Sequence, residues 1–380
     1  MAENTITGLV PDIYEALDVV SRELTGLIPA VTMNASASTA AVGQNIRVDK
    51  EPAGNVSDIT PAMVVPDPTG QTSGYSDIVI TKSRAAEFGF NGDAQLGLNS
   101  GAGYMNVRAN KIAQAIRAIT NEVEADLAGL HTTFSRAYGG AGTTPFGTAN
   151  DYTDASNVLK ILKDNGAPQS DNQLIVNTAA GANFIGKQSA VNSAGTDSML
   201  RQGVLLDLAG MPLRESAQVL TATAGSGTSY TSNTAGYAVG ATAITLITGS
   251  GTVLAGDVVT FAGDTNKYVV ETGVAAPGVI TLAAPGLRVA LAASAVAMTI
   301  VGTSARNMAF NRSALVLAAR APARPEEGDM ADDVMIITDP RSGLSMEFAM
   351  YKGYRKVRYE VSLAWGVKNI KPEHSAILLG

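Results

Sequence analysis

The sequence predicts an α+β chain, organised around one long amphipathic helix and carrying an extended hairpin and a barrel-like all-β segment. Three observations predict it. Ile112, Ile116, Ile119, Val123, Leu127 and Leu130 follow one another at steps of four, three, four, four and three, which is one stripe of a helix. Two alternating, strand-like runs are separated by a segment containing Pro52, Pro61, Pro66 and Pro68. From about residue 221 to 302 the chain is almost free of charge, and β-branched runs alternate with Gly, Pro and Asp turns.

Taken in order, residues 11–23 read as a short helix. Pro11 suits a first helical turn, Asp12 and Glu15 favour its positive end, and Tyr14, Leu17, Val20 and Leu24 share a face. Residues 33–43 are small and polar, a linker-like arm. Strand-like runs follow at 44–50, where Ile46 and Val48 alternate with polar neighbours, and at 75–86, where Ile78 and Ile80 do so. A structureless stretch as long as the one between them is uncommon inside a compact domain, so a hairpin projecting from the body is expected. The long helix runs from about 104 to 130. At 1.5 Å per residue it spans roughly 40 Å, the length of a spine.

A Gly/Thr-rich loop over 139–150 leads to a second helix over 153–165. Thr153 or Asp154 is its expected cap, Val158, Leu159 and Leu162 its apolar stripe, and Asn165-Gly166-Ala167-Pro168 its stop. Leu174, Ile175 and Val176 read as a buried strand. A small-residue helix and a strand-and-turn run over 202–213 follow. Strands in the charge-poor segment are expected at 243–247, 258–261, 267–271, 278–282 and 296–301. That segment reads as a separate β domain inserted into the main one. Residues 305–319 resume the earlier style, and 333–380 alternate short strands with Gly and Pro turns.

Composition closes several routes to function. The 380 residues contain no cysteine and only His131 and His374 as histidines. Disulfides, thiolate metal sites and cysteine nucleophiles are excluded, and a multi-histidine zinc site would need almost every histidine present. The formal charge is −7, and no stretch shows the basic surplus of a phosphate-gripping protein. The first residues lack a basic, then apolar, leader, and no apolar run reaches about 18 residues, so neither secretion nor a membrane span is expected.

Three features imitate functional sites. Gly181 to Lys187 matches the G-x-x-x-x-G-K part of a phosphate loop, and Val334 to Asp339 mimics a strand ending in a magnesium-binding aspartate. Gln188 stands where a metal-binding hydroxyl is required, and Phe184 and Ile185 look core-facing, so ordinary packing is expected. His131 closes the long helix, where a cationic ring would suit the negative end of the dipole; His374 lies beside Glu373. The acidic run Glu326, Glu327, Asp329, Asp332 and Asp333 lacks the alternating spacing of a calcium loop and reads as solvated. No catalytic, cofactor-binding or metal-ligating residue is expected.

The order of these segments resembles the tailed double-stranded DNA bacteriophage major capsid proteins of the Hong Kong 97-type fold, in the branch with an inserted β domain. Local similarities lie at Gly203 to Gly210 and on to Glu215-Ser216, before the insert. Others lie at Gly256 to Gly263 within it, at Asn307 to Asn311 in the return, and at Gly343 to Arg358, Trp365 to Lys368 and Pro372-Glu373 near the end. The resemblance implies an arm over 1–43 and an extended hairpin over 44–86. A peripheral region with the spine helix over 87–135 follows, then a first central part over 136–220, the insert over 221–303 and return strands over 304–380.

The function the resemblance implies is a shell protein, not an enzyme. Copies would form pentamers and hexamers of an icosahedral head, built in the host cytoplasm with a scaffolding protein, a portal protein and a decoration protein. The precursor would expand as double-stranded DNA is packaged, enclosed without sequence-specific binding. No cofactor and no membrane are implied. No cleavable coiled-coil segment precedes the arm, which favours a separate scaffold. The candidates for contact between subunits are Arg47, Lys50, Glu51, Lys82 and Arg84, around the hairpin; Lys50 and Lys82 read as surface or ionic groups, with no claim to covalent crosslinks. The rival readings are an encapsulin-like enzyme compartment, which would lack the insert, a secreted β-rich adhesin or tail module, and an NTP-hydrolysing enzyme.

Overall fold

A computed structural model describes residues 23–35, 39–50, 54, 56, 58–59, 61, 74–99, 103–148, 151–187 and 208–380. The helix expected over 11–23, apart from Glu23, lies outside them, as do Glu51, most of the hairpin's far end and the start of the 202–213 run.

The spine is where it was expected: α2, Tyr104–Gly129, after a shorter α1, Gly92–Asn99. Ile112, Ile116, Ile119, Val123 and Leu127 are all buried, and Ala109, Ala113 and Ala115 let the helix lie close to its neighbours. Burying a large aliphatic side chain is worth about 1.5–3 kcal/mol, so this stripe outweighs the weak intrinsic preferences of its β-branched members. Leu130 falls just past the helix, in a 3-10 turn over Leu130–Thr133. Asn91 starts α1 by accepting the Ala94 amide at 2.8 Å.

The spine packs against a six-stranded sheet of β1 (Thr32–Ala35), β4 (Lys82–Asn91), β16 (Leu315–Arg320), β17 (Ala331–Thr338), β18 (Ser345–Gly353) and β19 (Lys356–Asn369). β19 is its axis. One edge carries β4 from Lys356↔Asn91 to Trp365↔Lys82; the other carries β18 and then β16. Three expectations need correction here. Residues 33–43 are not simply a linker, because Thr32 to Ala35 pair parallel with Val316 to Ala319. The run over 75–86 is not one strand: it breaks at Ile80-Thr81 between β3 (Gly74–Val79), in the hairpin, and β4, in the sheet. The closing strands are not short, since β19 spans 14 residues. Each difference comes from non-local pairing, which has no local period to read.

A second sheet holds β5 (Arg136–Tyr138), β6 (Asn172–Val176), β7 (Leu213–Glu215), β8 (Thr221–Ala222), β15 (Ser304–Asn311) and β20 (Ser375–Leu379), with β15 between β6 and β20. Beside it lie α3, Thr153–Asp164, and α4, Thr178–Lys187. The cap of α3 differs from expectation. The N-cap position is Tyr152, with no side-chain capping bond; Asp151 before it accepts the Thr153 amide at 2.8 Å, while Asp154 holds the Phe146 amide of the preceding loop.

The charge-poor segment closes into a barrel. β9 (Thr228–Ser232), β10 (Ala243–Ser250), β13 (Val279–Leu282), β12 (Lys267–Thr272), β11 (Val258–Phe261) and β14 (Ala297–Ile300) pair antiparallel in that order, and β14 returns to β9. Closure removes the open edges that a chain so poor in charge would otherwise expose. Tyr230, Leu246, Phe261, Tyr268 and Ile280 fill the interior. The barrel is not hydrogen-bonded to itself alone: Lys267↔Ala137 and Tyr268↔Arg136 join β12 to β5 of the central sheet. β9 went unread in the sequence because only Tyr230 and Ser232 of its five residues face inward.

Candidate assembly surfaces

The hairpin of β2 (Asn45–Lys50) and β3 pairs from Asn45↔Val79 to Lys50↔Gly74. Its base is built into the body. Ile78 and Ile80 are fully buried in a small core with Val316, Ala318, Ala364 and Ile370. Gly366 of β19 faces the Val79 carbonyl so closely that any side chain there would collide with it. Lys50 donates to the Ile370 carbonyl at 3.1 Å and Lys368 to the Asp77 carbonyl at 2.8 Å. Beyond the last pair the surface changes: Val56 and Ile59 are each 98 % exposed.

Where β3 becomes β4, Lys82 turns toward the spine. Its ammonium donates to Asp126 at 2.8 Å and Glu122 at 3.0 Å, and these bonds, Asp126 first, hold its pKa above the usual lysine range. Arg84 reaches Glu122 at 3.4 Å, and the Trp365 indole donates to Asp126 at 2.9 Å. Arg47 pairs with Asp77 at 3.2 Å and lies over the Tyr75 ring at 3.7 Å, largely in solvent. Of the charged candidates, then, Lys82 and Arg84 converge on the spine, Lys50 is bonded within the chain, Arg47 remains on the outer face, and Glu51 lies outside the described residues. The Glu122 and Asp126 partners were missed, although both sit on the polar side of the helical stripe.

The incoming arm is held by a third carboxylate of the spine. Glu124, fully buried, accepts the amides of Gly26 and Leu27 at 2.6 Å, the amide of Ile28 at 2.9 Å and the Ser216 hydroxyl at 2.9 Å. Burial pushes its pKa up against the pull of these four donors. One and two turns earlier, Asn121 and Arg117 hold Glu23, with Nε of Arg117 at 2.6 Å, and the arginine brings that carboxyl down to about 2.

Free apolar surface also lies along β17, an edge strand of the first sheet. Ile336 is 63 % exposed, Val334 and the preceding Met330 are exposed as well, and Ile336 borders a groove with Met33, Ala319 and Met346. An edge strand with unpaired backbone groups and apolar side chains is a surface on which another chain can add.

The decoys take ordinary structural places. Gly181 to Lys187 lie within α4, where backbone amides are used by the helix and cannot cradle phosphate. Phe184 is buried as expected, but Ile185 is exposed, since it lies round the helix from the packed face. Asp339 is buried and binds Ser342 within its own turn. His131 is not a cationic cap: burial lowers its pKa, and its Nδ1 meets the Ala128 carbonyl at 3.0 Å. Among the described residues no cluster of three His, Asp or Glu could hold a metal ion, and no helix is long and apolar enough to cross a membrane.

No family model and no curated protein matches the chain. Solved structures similar to it include one of Mycobacterium phage Che8, at 13 % identity over 94 % of this chain and 92 % of that one, with a TM-score of 0.49. The capsid of a native GTA particle is similar at 13 % identity over 95 % and 91 %, with a TM-score of 0.47. The capsid of Myoviridae phage XM1 is similar at 8 % identity over 96 % and 95 %, with a TM-score of 0.48.

Proposed function

We propose that this chain is a major capsid protein of a tailed double-stranded DNA bacteriophage, a building block that acts by closing a shell of its own copies. The observation that carries this reading is the contrast within the hairpin. Its base is fixed by a buried core and a charged clamp, while Val56 and Ile59 at its far side stand in solvent. Apolar side chains held out on a firmly rooted arm gain nothing in the isolated chain. Against a sister copy they bury area at about 25 cal/mol per Å², and closed symmetry multiplies the gain around the ring. The exposed edge of β17 offers a receiving surface of the matching kind.

In this reading copies assemble as pentamers and hexamers of an icosahedral head, on a scaffold-assisted precursor that expands, with portal and decoration proteins as partners. The location is the virion, after assembly in the host cytoplasm. Residues 221–303 form the inserted unit, and the contacts between copies draw on Arg47, Arg84 and Glu51 more than on Lys82. An overall charge of −7 suits a container through which DNA slides, because phosphates find few cations to displace their counterions. Deleting residues 51–74 tests the proposal. The shortened chain should melt as a folded monomer and yield no shells by negative-stain microscopy; shells of normal size and number would overturn it.

A further inference from the structure

The end of the first sheet where β18 turns into β19 carries a local surplus that the overall charge of −7 conceals. Lys352, Arg355, Lys356 and Arg358 fall within seven residues that contain no carboxylate. Tyr354 and Arg355 form the turn itself, between the paired Gly353 and Lys356. Arg355 holds a φ of 56°, a conformation that two-residue turns ordinarily give to Gly, Asn or Asp. Tyr354 is 90 % exposed. Lys352 is paired with Asp332 at 2.6 Å, and Arg358 with Glu87 and Glu360. Among the described residues the side chains of Arg355 and Lys356 have no partner.

Beside this turn the chain carries the opposite sign. Ala331 of β17 lies across from Tyr351 of β18, and the acidic run from Glu326 to Asp333 leads into that pair. Glu326 and Glu327 are exposed, and among the described residues their side chains also have no partner. Met330, within the run, is 83 % exposed. Each half therefore has a large apolar residue flanked by charges of one sign, Tyr354 by cations and Met330 by carboxylates. That is the anatomy of a protein interface, an apolar centre with a polar rim. Duplex DNA fits it poorly, because phosphates drawn to the turn would be repelled by the carboxylates beside it. A second copy of this chain presents both signs, so its acidic run can face this turn. Such a contact joins two different patches, repeats head to tail, and closes a ring where the rotation allows.

We propose that the β18–β19 turn of one copy docks on the acidic run of the next, with Tyr354 and Met330 at the centre and Arg355 and Lys356 facing Glu326 and Glu327. This rests on the shell reading and names a contact that the hairpin of β2 and β3 does not supply. For the test, shells are built from an equal mixture of light and heavy-isotope-labelled chains and treated with a water-soluble carbodiimide. The reagent activates a carboxylate, a touching lysine amine attacks it to form an amide, and the reagent leaves as its urea. Mass spectrometry should find Lys356 joined to the acidic run in peptide pairs of mixed label, and Lys352 joined to Asp332 in pairs of one label. Arg355→Glu with Lys356→Glu should lower shell yield about tenfold or more without moving the melting temperature of the unassembled chain. Adding Glu326→Lys and Glu327→Lys to that same chain should restore shells. A parent chain that builds no shells overturns the shell reading and this contact with it. Parent shells without the mixed-label Lys356 link overturn the contact alone, whether or not the variants fold. A folded four-residue variant that assembles no better than the reversed turn does so too. Duplex DNA binding that is lost on reversing the turn, while shell yield holds, would assign the turn to DNA and overturn the contact equally.

Discussion

Lys82, the first residue of β4, donates to Asp126 of the spine at 2.8 Å, and on its other oxygen Asp126 receives the Trp365 indole at 2.9 Å. The pair stands two residues past the point where the hairpin strand leaves for the sheet, so it ties the start of β4, next to the hairpin base, to the spine. Lys82→Met should lower stability by about 1–2 kcal/mol, the cost of stranding half-buried carboxylates. Amide exchange in β2 and β3 should quicken at the same time. A double-mutant cycle with Asp126→Asn checks the coupling; additive effects would show that the two groups do not act together.

Glu23 and Arg117 give a pH-dependent link between arm and spine. The Glu23 carboxyl is lowered from 4.5 to about 2, chiefly by its bond to Arg117. A depressed folded-state value means that the contribution is complete above about 4.5 and fades as pH falls toward about 2. Glu23→Gln should flatten the acid limb of a melting-temperature profile in that window and change little at neutral pH. The pair is about one-third exposed, so solvent screening keeps the effect small.

Glu124 should be the most sensitive carboxylate of the spine. Glu124→Ala leaves three backbone amides and the Ser216 hydroxyl without their acceptor in a buried site, and should cost about 3–5 kcal/mol in urea unfolding. Glu124→Gln keeps one acceptor oxygen and should cost less. Because burial raises the folded-state value, ionisation of Glu124 works against the fold. Its share of stability is complete below the ordinary carboxylate range and is lost as pH rises through the folded value. A Glu124→Gln chain should lack that fall.

Gly366→Ala tests how closely the hairpin base is seated. The added methyl meets the carbonyl of Val79, which belongs to the backbone and cannot rotate away. The hairpin strand must shift, at a cost of about 1–3 kcal/mol. On the proposed shell reading, assembly should be impaired as well as stability. A variant that melts and assembles as the parent does would show that the seat has slack.

Much of the fold was legible from residue spacing. The stripe from Ile112 to Leu127 announced a helix because 3.6-residue periodicity is a local property, and every member is buried. The barrel strands at 258–261 and 267–271 showed as β-branched runs between turns, and Leu174 to Val176 as a buried strand, for the same reason. The clamp was half legible: Lys82 and Arg84 stood out as charges at the hairpin base, but nothing in the sequence joined them to Glu122 and Asp126 some 40 residues away.

Spacing and composition by themselves determined the spine, the paired strands of the hairpin, the charge-poor β segment and the lack of cysteine chemistry, since each rests on neighbours in the chain. Only the tertiary structure decided that the 75–86 run serves two sheets, that Thr32 to Ala35 join β16, and that six strands close into a ring tied to β5. It also decided which carboxylates hold the arm and the hairpin. Pairing partners and buried acceptors are set by which surfaces meet across hundreds of residues, and a one-dimensional pattern carries no record of that meeting.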